Sequence, residues 1–335
     1  IAINVIQLTA VAAFTIFAVY FRLSHPATAA AGYEAASAAS VTLPHSLINV
    51  IYQSTIAILL LVGFESVTAL GAESVNPEKD IKRGILLSLA IQGLAAYLFQ
   101  YFAANFVVGS ATIQGKTAAG VAVTGYAAAA IDSAPIGTIV KTMVNTVFGG
   151  GGTAVAVLLA GTVLLALIGT TLSCLNAGVR ITYSMARDKE VPSILGLLHG
   201  KFATPHAGIW ILAILSGALG VYGVFSVDAL MQITLASNAG TFIVYGMSCL
   251  VTIVAFSSRQ DRSLLKHYVI PGAGFLMNLA ELAGVVYLAI VAGGTTSMDA
   301  YIALGIVGAW ILIGAAWVAL NPAMRGQKLL HAETA

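Results

Sequence analysis

The stretch Leu59-Leu60-Leu61-Val62-Gly63-Phe64-Glu65-Ser66-Val67-Thr68 decides how this chain folds. It sets a carboxyl group inside an apolar run long enough to cross a bilayer, with a glycine two residues before it. A charge at membrane depth is costly, and far more so when isolated in lipid. Glu65 is therefore expected to face a cavity or a polar partner, or to stay protonated, because desolvation disfavours the charged form. Gly63 is the residue type that lets a helix unwind and lets its backbone approach a ligand. A break at mid-bilayer exposes amide N–H groups on one half-helix and carbonyls on the other, termini suited to carboxylate and ammonium groups respectively. The plainer alternative is a glutamate hydrogen-bonded between packed helices, with Gly63 as a packing notch.

Outward from this stretch, composition sets the class. Of 335 residues 59% are hydrophobic and only 8% charged, where a soluble domain carries about 25% charged residues. Mean hydropathy is +0.94. Fifteen basic and 13 acidic residues leave a net charge of +2. A soluble enzyme, a disordered regulator and a nucleic-acid binder are all excluded. The apolar runs far exceed the roughly 10-residue strands of a membrane barrel, so the fold class is all-α integral membrane. Crossing the hydrocarbon takes about 20 apolar residues in a helix. Eight runs qualify: 1–21, 47–72, 84–109, 153–186, 207–226, 230–256, 268–292 and 299–320. The loop 110–152, rich in Ala, Gly and Thr, is expected to carry short amphipathic helices across an aqueous face. Cys174 and Cys249 lie inside apolar runs and read as core filler.

Basic residues orient the runs. Lys79, Lys82, Arg83, Arg180, Arg187, Lys189, Lys201, Arg259, Arg262, Lys266, Arg325 and Lys328 fall in one set of loops, and Arg22, Lys116 and Lys141 in the other. The positive-inside rule puts the first set in the cytoplasm. Eight alternating spans then place both ends of this chain on the cytoplasmic side of the cytoplasmic membrane.

Three segments together carry a resemblance: Gly63-Phe64-Glu65; the loop Glu73…Asn76-Pro77…Ile81-Lys82-Arg83; and Asn176-Ala177…Arg180…Tyr183…Met185-Ala186-Arg187-Asp188…Pro192, followed by Thr204-Pro205. In order and spacing they resemble the amino acid–polyamine–organocation (APC) permeases, as does the later stretch Asn238…Gly240-Thr241-Phe242…Tyr245. The resemblance implies a leucine-transporter-type inverted-repeat fold, with substrate held where helices unwind. The eight runs then match family helices five to twelve: 1–21 is the last helix of the first repeat, 47–256 the complete second repeat, and 268–320 two trailing helices. Residues 1–335 form a single transmembrane transporter domain. Because helices one to four and an initiator Met are missing, the fold is incomplete and the chain is expected to be a piece of a longer protein.

The resemblance assigns substrate binding to Val62, Gly63, Phe64, Glu65 and Ser66. Leu59 occupies the position where some relatives place an aromatic gate. Some sodium-independent relatives carry a buried lysine in the fifth helix, but run 1–21 has no Lys, Arg or His. Coupling is therefore expected to use Glu65 as a proton carrier, a cation near Thr170, Thr171 and Ser173, or plain exchange; H+ and Na+ both stay open. Hydroxyls at helical spacing more often bond their own carbonyls. Asn238 and Tyr245 are candidates for the outer vestibule, with packing as the alternative. Glu281, with Asn278 three residues before it, reads as structural or as an oligomer contact, and a homo-oligomer stays open. Histidines 25, 45, 199, 206, 267 and 331 show no metal-ligand spacing. Gly149–Gly152 lacks the Lys-Ser/Thr of a nucleotide loop, so no cofactor is expected. The function implied is secondary transport of an amino acid or related amine by alternating access. A permease-like amino-acid sensor, a non-transporting subunit and an intramembrane enzyme are weaker alternatives; the enzyme would need paired acids or a His/Cys cluster at one depth.

Overall fold

The computed structural model describes residues 2–25, 37, 39, 42–44, 46–108, 113–117, 119–260 and 262–321. His45, Arg325, Lys328 and His331 lie outside the described residues. In chain order the helices are α1 (Ala2–Ser24), α2 (Leu47–Ala57), α3 (Pro77–Val108), α4 (Gly125–Ile131), α5 (Pro135–Phe148), α6 (Gly152–Arg187), α7 (His206–Val224), α8 (Val227–Ser257), α9 (Leu265–Val291) and α10 (Gly294–Leu320). Strands β1 (Gln114–Lys116) and β2 (Ala122–Thr124) pair as a small antiparallel hairpin.

Seven of these helices, α1, α3 and α6 to α10, are long and apolar enough to cross a membrane. The expected count was eight. Run 47–72 accounts for the difference, because no uninterrupted helix crosses it. It consists of α2, a 3-10 turn at Ile58–Leu60, and a 3-10 helix at Phe64–Glu73.

The contacts divide the chain into two compact units, one of Ile1–His45 with Gly63–Cys174, the other of Ser46–Val62 with Leu175–Ala335. In the first, the core gathers Phe14, Ala18 and Phe21 of α1, Ala103 and Val107 of α3, and Ile139 and Met143 of α5. Phe14 and Phe99 set their ring centroids 4.8 Å apart. The loop 110–152 does form short helices, and α5 buries Ile139, Val140, Met143 and Val144 on one face, the spacing of an amphipathic helix. The hairpin at 114–124 went unread in the sequence. Helix α1 continues past Phe21 and buries Arg22, whose guanidinium lies over the Phe106 ring at 5.3 Å. Helix α3 starts as its sequence directs: Pro77 occupies the first turn with Glu78 and Asp80, where a missing N–H is harmless and acids favour the dipole. Asp80 Oδ2 reaches back to accept from the Asn76 N–H at 3.2 Å.

In the second unit α8, α9 and α10 pack through small residues, with Ala236, Ala289, Ala300 and Ala303 buried. Gly274 sits so close to Cys249 that an added Cβ would lie 3.0 Å from its sulfur. Small residues let membrane helices approach where no hydrophobic driving force exists. Ser226 caps α8, accepting from the Ala229 N–H at 3.0 Å.

Candidate functional site

The interruption at residues 58–66 is built by local backbone chemistry. The 3-10 turn at Ile58–Leu60 closes as the Leu61 and Val62 N–H groups both reach the Ile58 carbonyl, at 2.8 and 3.0 Å. Gly63 then takes φ of +115°, a region that L side chains rarely enter. Its N–H donates to Glu65 Oε2 at 2.9 Å, and its carbonyl accepts from Ser66 N–H at 3.1 Å. Thr68 Oγ1 donates to the Glu65 carbonyl at 2.7 Å. The carboxyl of Glu65 thus caps the amino end of the helix it belongs to. Val62, Gly63, Phe64, Glu65 and Ser66 are all half-buried, while Leu59 is 49% exposed. A Cβ built on Gly63 meets nothing within 4 Å, so the glycine is there for its backbone angle rather than to make room.

Within the second unit, the carbonyl end of α2 is held by a residue that the sequence marked only as vestibule or packing. Asn238 of α8 is fully buried, and its Nδ2 donates to the Thr55 carbonyl at 2.8 Å and to that of Ile56 at 3.4 Å. A helix end leaves carbonyls without intrahelical partners, and Asn238 supplies a donor there. Tyr245, two turns along the same face of α8, is half-buried. Glu281 of α9 makes the second grip: its Oε1 accepts from the Ser54 hydroxyl at 2.5 Å. Asn278 donates instead to the Gly274 carbonyl of its own helix, at 2.8 Å. No signal in the sequence alone pairs residues 183 or 227 positions apart.

Thr170, Thr171 and Ser173 are exposed along α6. Among the described residues no group of three His, Cys, Asp or Glu side chains is gathered as a metal site. A cavity of about 440 Å³ among α7, α8 and α10, and one of about 610 Å³ among α1, α5 and α6, are lined almost wholly by apolar side chains. Residues 62–66 line neither cavity.

The third motif is structural. At the end of α6, Lys189 adopts φ of +63°, and the Glu190 and Lys189 N–H groups reach the Met185 and Ala186 carbonyls at 2.9 and 3.2 Å. This is a Schellman cap with lysine where glycine is usual. Trp317 Nε1 and Asn321 Nδ2, from α10 and the residue after it, then donate to the Glu190 and Lys189 carbonyls at 2.6 and 2.9 Å. A chain of hydrogen bonds, Tyr222 to the buried Gln232 to the buried Asp299, links α7, α8 and α10, with Gln232 Nε2 donating to Asp299 Oδ1 at 2.8 Å.

Comparison with known proteins agrees with this architecture. The family model for amino acid permeases matches residues 1–324. The chain belongs to the amino acid permease family. It is 32% identical over 228 residues to the branched-chain amino acid permease BcaP of Lactococcus lactis, covering 66% of this chain and 42% of that protein. The namesake permease of Bacillus subtilis is 25% identical over 240 residues, 72% of this chain and 45% of that protein. The methylthioribose transporter of Bacillus subtilis is 24% identical over 212 residues, 63% of this chain and 40% of that protein. The chain spans less than half the length of these curated relatives. No solved structure matches.

Proposed function

We propose that this chain is part of a secondary transporter that moves an amino acid across the cytoplasmic membrane by alternating access, with the substrate's charged groups recognised at the break around Gly63 to Glu65. The observation that carries the reading is the left-handed Gly63, whose N–H is capped by the Glu65 carboxyl at 2.9 Å. A glycine at an angle that other residues rarely adopt, inside a run otherwise apolar enough to span, marks a break that packing alone does not require. When the Glu65 carboxyl turns to the substrate's ammonium group, it frees the Gly63 N–H at this helix start for the substrate carboxylate. Val62 and Phe64 make the surroundings apolar, which fits a neutral aliphatic side chain. Two relatives named for branched-chain amino acids support the same substrate class. Lys79, Lys201 and Arg262 then face the cytoplasm.

The test is leucine counterflow by the complete protein in proteoliposomes. Gly63→Ala introduces a side chain where there is room but at an angle that costs about 1–2 kcal/mol. The segment is expected to relax toward continuous helix, and leucine affinity to fall about tenfold. Wild-type affinity in this variant would remove the break from the substrate site.

A further inference from the structure

Glu281 is an acid that the proposed substrate site leaves unused. It lies on α9, about 15 Å along the axis from the end of that helix at Val291. Among the described residues its one partner is the Ser54 hydroxyl, at 2.5 Å on Oε1; Oε2 is buried with none. Helix α9 packs against α2, α8 and α10, and those three helices contain no lysine, arginine or histidine. Their titratable groups are Tyr52 on α2, whose side chain is outside the described ones; Asp228, Tyr245 and Cys249 on α8; and Asp299 and Tyr301 on α10. Asp299 is engaged by Gln232, and Cys249 lies against Gly274, seven residues from Glu281 along α9. On α9 itself, Lys266 and His267 stand at the opposite end, about 21 Å away along the axis.

A carboxylate at this depth with no cation beside it is costly, and a single neutral hydroxyl offsets little of that. A neutral carboxyl leaves at most one O–H without a partner, a far smaller cost than an unpaired charge. We propose that Glu281 is a proton-binding site, and that its neutral form stays buried with Oε1 accepting from Ser54, which keeps the last turn of α2 against α9. Ser54 lies three residues before the end of α2 at Ala57, so release of this contact frees the segment leading to the break. Loss of the proton favours any arrangement in which Glu281 meets water, and by linkage movement of α2 changes how tightly the proton is held. The coupling to transport rests on the reading of the break as the substrate site; the proton site itself does not.

Infrared difference spectroscopy on the complete protein in lipid, titrated from mildly acidic to mildly alkaline pH, separates the two. Wild type is expected to show the C=O stretch of a protonated carboxyl, and Glu281→Gln to lose that band. Retention of the full band in the Gln variant would overturn the proposal. Ser54→Ala keeps the carboxyl and removes one hydrogen bond, so the same band should move to higher frequency. An unmoved band would overturn the link to α2. Gly63→Ala serves as the control: weakened leucine counterflow with an unchanged band supports both readings. Wild-type counterflow in that control, with the band still lost in Glu281→Gln, leaves the proton site standing while the substrate site falls.

Discussion

Gly63 and Gly152 each stand at the start of a helix, and each donates its N–H to a side-chain oxygen at 2.9 Å, Glu65 Oε2 in one case and Asn145 Oδ1 in the other. There the likeness ends. Gly63 sits at φ of +115° in open space. A Cβ on Gly152 would fall 2.3 Å from the Lys141 carbonyl oxygen and 2.7 Å from Asn145 Oδ1, with no unusual backbone angle. Gly152 is therefore a packing corner, where α6 starts hard against α5 after the turn made by Gly149 and Gly151, and its acceptor is a neutral amide. Gly63 is an angle without a packing reason, and its acceptor is ionisable. Glycine inside an apolar run has two meanings, and the acceptor and the surrounding space tell them apart.

The contrast is sharpest for the same substitution at both positions. Gly152→Ala forces a backbone oxygen to move, an overpacking cost of about 1–3 kcal/mol. Its melting temperature in detergent should fall clearly, while the folded remainder binds leucine as wild type does. Gly63→Ala should do the reverse, weakening affinity with a smaller change in melting. Equal melting shifts would erase the distinction between corner and break.

The acceptors give a second, smaller test. Asn145→Ala leaves the Gly152 N–H without its acceptor, at about 1 kcal/mol. Glu65→Gln keeps an amide oxygen in reach of Gly63, so stability should change by less than about 0.5 kcal/mol. Leucine affinity should nevertheless fall, because the Gln side chain offers no charge to an ammonium group. Unchanged affinity in Glu65→Gln would leave Glu65 as a cap and nothing more.

These features differ in how far they were legible in the sequence. Spans were readable because length and apolarity alone decide them; α6 follows the run 153–186 to within a residue at each end. Gly63 stood out because one residue type at one position has a direct backbone consequence. Asn238 and Glu281 were named, but their partners Thr55 and Ser54 were not, since a cross-helix hydrogen bond depends on which faces meet after folding. The hairpin at 114–124 contains Gln114-Gly115-Lys116, with none of the β-branched or aromatic residues that announce a strand. Arg22 was assigned to a loop, because a cation at the end of an apolar run reads as solvated. Its burial follows from the Phe106 ring beneath it, a partner on another helix.

The smallest expected effect concerns the same kind of bond outside the membrane spans. Asp132 Oδ1 accepts from the Ala134 N–H at 2.8 Å, an acidic side chain bonding a backbone amide two residues away, as Glu65 does. The Thr138 hydroxyl, and then this N–H, hold the Asp132 carboxyl below the usual carboxylate range, against a weak opposing effect of burial. A depressed carboxyl contributes stability that is present above its unfolded value, about 3.9, and that is lost as pH falls through the folded value. Asp132 is only half-buried, so solvent screens the effect and the contribution is small. Hydrogen exchange of the first turn of α5, corrected for intrinsic rates, should therefore speed up only in strongly acidic buffer. Asp132→Asn keeps an acceptor oxygen but cannot titrate, so its exchange should be flat across that range. A wild-type profile as flat as that of the Asn variant would show that the Asp132 bond does not depend on charge, and would weaken by analogy the distinction drawn between Glu65 and its Gln replacement.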